Sequence, residues 1–138
     1  MAGQATLGRS LTVKTMIGVI LAGAIGAALL LAPGAMAKDG DVLRAGTCTK
    51  ATTSKLKLSE EDGGIEVEFE VDQNRNGVRW SVVLLRNGTQ VARRVGVTRG
   101  PSGSFEARVV TGNRPGVDRF VARATRAGER CSARASFA

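Results

Sequence analysis

Histidine and tyrosine are absent from this 138-residue chain, and cysteine occurs only twice. Without them the usual general bases and the partners that activate a nucleophile are missing, which argues against catalysis. Two thiols with no histidine also make a poor zinc site, so no catalytic residue, metal or cofactor is expected. Aromatic residues are few, one tryptophan and four phenylalanines. A protein that grips single-stranded nucleic acid stacks bases on such rings, so nucleic acid is not an expected partner despite the basic composition.

Acidic residues are missing from residues 1–37, where Arg9 and Lys14 precede the apolar run Met16 to Ala32. Pro33-Gly34 ends that run, and Ala35 and Ala37 are small enough for a signal peptidase. The pattern predicts a secretory signal peptide over residues 1–37, cleaved after Ala37. The run also lies at the lower limit of a membrane-spanning helix, which leaves an uncleaved anchor as the alternative. There is no twin arginine and no cysteine placed to accept a lipid. The expected product is secreted or loosely wall-associated and meets the membrane only through its leader.

Residues 38–138 then form a single domain. Its charge is uneven: Lys38 to Asp72 holds five bases and nine acids, whereas Gln73 to Ala138 holds 13 arginines and three acids. Charge of one sign gathered in one half suggests a partner of opposite sign or a solubilising surface. Strands from the two halves interleave in a sandwich, so the imbalance need not survive folding as a patch. Cys48 and Cys131 are expected to pair, because exported thiols are normally oxidised. Their bond would tie the start of the domain to its end, contributing roughly 4 to 5 kcal/mol in the chain-entropy account.

No helical period appears beyond Ala37. Apolar residues instead alternate, and Gly, Asn, Pro or Asp clusters interrupt them every eight to twelve residues. Leu56, Leu58, Ile65, Val67, Phe69 and Val71 are expected to face inward, with Lys55 and Lys57 beside Glu66, Glu68 and Glu70 outside. Asn87-Gly88 joins two strand-like runs as a type I′ turn, which also accounts for the Asn87-Gly88-Thr89 glycosylation pattern. Phe120, Ala122, Ala124, Cys131, Ala133, Ala135 and Phe137 face in on a last hairpin. The count predicts an all-β fold, an immunoglobulin-like two-layer sandwich of about seven strands, with a meander barrel as the alternative. Trp80 stands where such sandwiches bury a tryptophan.

The segments KLKLS, IEVEFEVDQNRNGVRW, RNGT, RGPSGSF and DRFVARAT followed by GERCSARASF are distributed from Lys55 to Phe137. In these the chain resembles a group of small secreted actinobacterial proteins. The resemblance implies export, two cysteines and a β-rich fold, and it carries over no activity.

Four patterns bear on function. Asp72, Asn74, Asn76 and Gly77 match the start of a calcium loop, but the twelfth position is Val83 where a bidentate Glu is required, so a tight turn is expected. Glu66, Glu68 and Glu70 share a strand face at a spacing compatible with glycoside hydrolysis, yet exposed acids beside lysines read better as a solvated charge ladder. Arg79, Arg86, Arg93, Arg119, Arg123 and Arg134, with Arg94, Arg99 and Arg108, are candidates for a stripe that holds phosphate or carboxylate groups, as on an anionic cell-wall polymer. Val83 and Leu85 make both sides of their strand apolar and mark a candidate protein-partner patch. The expected function is a secreted, non-catalytic binding or structural protein of the envelope or extracellular space. A secreted hydrolase inhibitor presenting Arg99 to Gly103 or Thr111 to Gly116 is the second reading, and a small hydrolase the third.

Overall fold

The structure, a computed structural model, describes residues 40–138. The predicted leader, residues 1–37, lies outside the described residues. Nine strands follow in order: β1 (Val42–Ala45), β2 (Thr47–Cys48), β3 (Thr53–Glu61), β4 (Gly64–Asp72), β5 (Arg79–Arg86), β6 (Thr89–Val97), β7 (Ser104–Gly112), β8 (Asp118–Arg126) and β9 (Glu129–Phe137). They form two antiparallel sheets, a four-stranded one in the order β1-β3-β4-β7 and a five-stranded one in the order β2-β9-β8-β5-β6. This is the expected all-β sandwich, and the two sheets do not close into a barrel.

The strand count exceeds the expected seven partly because the first strand changes layers. β1 pairs with β3, the chain passes Gly46, and β2 pairs with β9 in the opposite sheet. Connectivity differs from the immunoglobulin pattern in one respect. There, the strand lying next to the second strand of the same sheet comes later in the chain; here, β4 takes that place directly after β3 through a hairpin. The Asn87-Gly88 turn takes the backbone that two-residue hairpins need, with φ of 49° and 84°.

Alternation decides the core. All six inward residues expected on β3 and β4 are buried, and they meet Trp80, Val82 and Leu84 of β5 and Phe120, Ala122 and Ala124 of β8. Large side chains such as Trp80 and small ones such as Ala133 share the interior, as filling the roughly 10 Å between two sheets requires. Trp80 is fully enclosed, its indole Nε1 donating to Gln73 Oε1 at 3.2 Å and the Arg126 guanidinium lying 5.7 Å from its ring. On the open side of the sandwich, Gly96 of β6 lets the Phe105 ring of β7 pack against the backbone. A Cβ at position 96 would sit 2.2 Å from that ring.

Cys48 and Cys131 are bonded, and they are directly opposite partners in the β2–β9 register, with Cα atoms 4.0 Å apart. The bond is therefore a rung within one sheet, where the immunoglobulin bridge crosses between sheets. It secures a two-residue strand that has little else to hold it. Reduction is expected to lower the thermal midpoint, corresponding to a loss of about 2 to 5 kcal/mol. Calorimetry with and without reductant measures it, and an unchanged midpoint would show that the rung contributes nothing.

Candidate functional site

Charge follows the layers. The four-stranded sheet carries seven acids and four bases, whereas the five-stranded sheet carries nine arginines and two acids, Asp118 and Glu129. Because β3 and β4 fall in one sheet and β5, β6, β8 and β9 in the other, the imbalance along the chain survives folding, which the sequence alone left open.

Both acids of the five-stranded sheet point inward. Asp118 Oδ1 accepts the Arg86 Nε–H at 2.7 Å and the Asn87 Nδ2–H at 2.9 Å, and Oδ2 is held by Arg86 Nη2. Arg86 Nη1 also donates to the Gly112 carbonyl of the opposite sheet at 2.6 Å, and its guanidinium lies 5.9 Å from the Phe120 ring. The paired donors of Arg86 hold the Asp118 carboxyl below its ordinary range, although burial alone would raise it. At the other end Glu129 is buried with Thr52, which donates to it, and Arg126 approaches its second oxygen at 3.5 Å.

What remains outward on the five-stranded sheet consists of arginines and hydroxyls, with Val83, Leu85, Val95 and Val121 between them and no acid. Of the six arginines proposed as an anion-binding face, Arg79, Arg93, Arg119, Arg123 and Arg134 are exposed on this one surface. Arg86 is not among them: it is 7% exposed and committed to Asp118. Its parity on β5 matches Trp80, Val82 and Leu84, which places it inside. Arg94 shares the core-side parity of β6, opposite Val82, and Arg108 lies on the other sheet against Glu66. Val83 and Leu85 do face outward, half-buried, and belong to the same surface. Val83 is flanked across the strands by Arg93 and Arg123, whose aliphatic stems are long enough to cover it.

Two hollows indent this surface along β8 and β9. One, of about 250 Å³, lies over the Cys48–Cys131 rung and is bordered by Arg123, Arg130 and the hydroxyls of Thr47, Thr49, Thr125 and Ser132. The other, of about 380 Å³, is bordered by Arg119, Arg134, Ser136 and Arg44, the last from the edge of the opposite sheet. Arg130, Arg44 and the hydroxyls did not come from sequence reasoning. Arg130 was legible, since it shares outward parity with Arg134, but Arg44 arrives only because β1 runs along the edge beside β9.

The outer surface of the four-stranded sheet is a charge ladder. Lys55 meets Glu70 at 2.9 Å and Lys57 meets Glu68 at 3.2 Å, each directly opposite its partner. Glu66 is 5% exposed and paired with Arg108, so it is not the exposed acid expected. Glu106 of β7 has no such cation opposite it; its register partner is Glu70. Partial burial and the charges of Glu68 and Glu70 push its carboxyl above the ordinary range. The Asp72 stretch is a turn, with Asp72 Oδ1 accepting the Asn74 amide at 2.9 Å and Asn74 at a φ of 54°. Among the described residues no group of three or more Cys, Asp or Glu side chains is arranged to hold a metal ion. The loop Arg99 to Gly103 is closed on itself, the Gly103 and Ser104 amides both donating to the Arg99 carbonyl.

Compared with known protein families, curated proteins and solved structures, the chain matches none.

Asp118→Asn leaves a buried guanidinium without its counter-ion and is expected to cost about 3 kcal/mol at neutral pH. The native carboxyl is depressed, so its contribution is full above the unfolded value near 4 and is lost as pH falls below it. Urea titrations from about pH 7 to pH 2 should show that part of the acid limb missing in the variant. Glu106 behaves oppositely. Its raised value means that the charged form opposes folding above about pH 4. Glu106→Gln should raise the thermal midpoint at pH 7 and leave it unchanged near pH 3.

Proposed function

We propose that this protein is an exported, non-catalytic binding domain that attaches to anionic polymer at or outside the cell envelope through the outer surface of its five-stranded sheet. One observation carries this reading: that surface presents Arg79, Arg93, Arg119, Arg123, Arg130 and Arg134 with no acid among them. Guanidinium groups unopposed by internal carboxylates keep their donors for an external partner. A merely solubilising surface has no need to exclude acids, and mixing both signs serves solubility as well. The predicted leader, the disulfide and the resemblance to small secreted actinobacterial proteins support placing the protein outside the cytoplasm.

Retention of the secreted protein on isolated cell wall tests the reading. Binding is expected at about 0.01 M salt and should be released as rising salt screens the contact. Arg123→Gln should elute at lower salt than Arg75→Gln, which removes equal charge from a turn away from the face. No retention at low salt would end the proposal.

A further inference from the structure

The two hollows on the basic surface are built to one plan. In each, an arginine of β8 and an arginine of β9 stand diagonally across the strand pair, Arg123 with Arg130 and Arg119 with Arg134. Diagonal neighbours of this kind have Cα atoms roughly 7 to 8 Å apart, close enough for both guanidiniums to reach one anion. The second pair repeats the first after four residues along each strand, about 13 Å away.

We propose that the hollows are successive subsites for a chain of phosphate groups, either phosphodiester-linked or phosphoanhydride-linked. This deepens the anion-binding reading above and rests on it. A carboxylate is planar, and one in-plane guanidinium fork satisfies it. The donors here sit on separate strands, Arg123 and Thr125 on β8, Arg130 and Ser132 on β9 and Thr47 on β2. Two arginines flank the smaller hollow and hydroxyls line it, and Thr49 is already fixed, its Oγ1 accepting the Arg130 amide at 3.2 Å so that its own proton is free to donate. That arrangement matches a tetrahedral group, whose oxygens leave its centre in several directions. The repeat matters as much as the single site. Two subsites about 13 Å apart engage a polymer twice, and the second contact then forms at high effective concentration.

Titration calorimetry on the secreted protein at fixed low salt tests this. The probes are inorganic phosphate, linear polyphosphate of graded length, a poly(glycerol phosphate) and polyglutamate of matched charge. Affinity should rise at least about tenfold once a phosphate chain is long enough to span both hollows. Both phosphate polymers should exceed polyglutamate, and the tighter of the two identifies the natural linkage. Arg123→Gln with Arg130→Gln, or Arg119→Gln with Arg134→Gln, should abolish the length step. Arg79→Gln with Arg93→Gln, on the same face but outside both hollows, should cost only a few-fold and keep the step. The Arg123→Lys, Arg130→Lys pair keeps the charge but not the fork and should lose part of the preference, with an unchanged thermal midpoint showing that the fold is intact. Equal losses from all three glutamine pairs, or polyglutamate binding as tightly as the phosphate chains, would refute the subsites while leaving a diffuse anion-binding face. Failure to bind any of the polymers would remove both.

Discussion

The buried pair between Arg86 and Asp118 binds a turn, two neighbouring strands and both sheets together. Its guanidinium uses one edge to hold the carboxylate and another to reach the Gly112 carbonyl, so a single side chain ties β5 to β8 and one sheet to the other. Burying two charges is costly unless each is fully hydrogen-bonded, and here Asn87 contributes a further donor to the acid. The same Asn87 forms the β5–β6 turn, and its Oδ1 accepts the Arg119 amide at 2.9 Å. Turn, ion pair and the start of β8 are one unit.

That unit also determines the surface. Asp118 is one of only two acids on the five-stranded sheet, and Glu129 is the other. Turned outward, either would neutralise part of the arginine array. With both enclosed, the outer side of that sheet carries arginines, hydroxyls, a few valines and Leu85 but no acid, while the opposite side of the sandwich pairs Glu66, Glu68 and Glu70 with cations. The chain achieves this segregation by assigning β3 and β4 to one layer and most of the arginine-rich strands to the other.

Period-two alternation makes the core legible from the order of residues alone. Every residue expected inside on β3 and β4 is there, as are Phe120 and the alanines of β8 and β9. The pairing of Cys48 with Cys131 is legible too, because the chain has only these two thiols, and so is the turn character of Asp72 to Gly77, which rests on local chemistry. The candidate face is only partly readable. Arg79, Arg93, Arg119, Arg123 and Arg134 can be placed by parity, and parity alone would have withdrawn Arg86 and added Arg130. The expected disulfide brings Cys48 near Cys131, but no local pattern tells that β2 would pair in register with β9 and so supply Thr47 and Thr49 to a hollow, or that Arg44 would come beside Arg119 and Arg134. The switch of the first strand between layers at Gly46 produces both, and nothing in its immediate sequence announces it.

The borders of the two sheets are poor templates for a further strand. An unpaired strand border is a template on which another chain can lay itself down, and long flat borders seed aggregation. Here β1 and β2 have only four and two residues. On β6 the register slips between Leu84 and Leu85 of its partner, and Arg94 occupies a core-side position where a second chain would need an apolar one. On β7 the outward residues include Glu106 and Arg108. Each of the four borders is thus short, bent or charged, and none offers a long flat row of backbone groups on which a further strand could be laid.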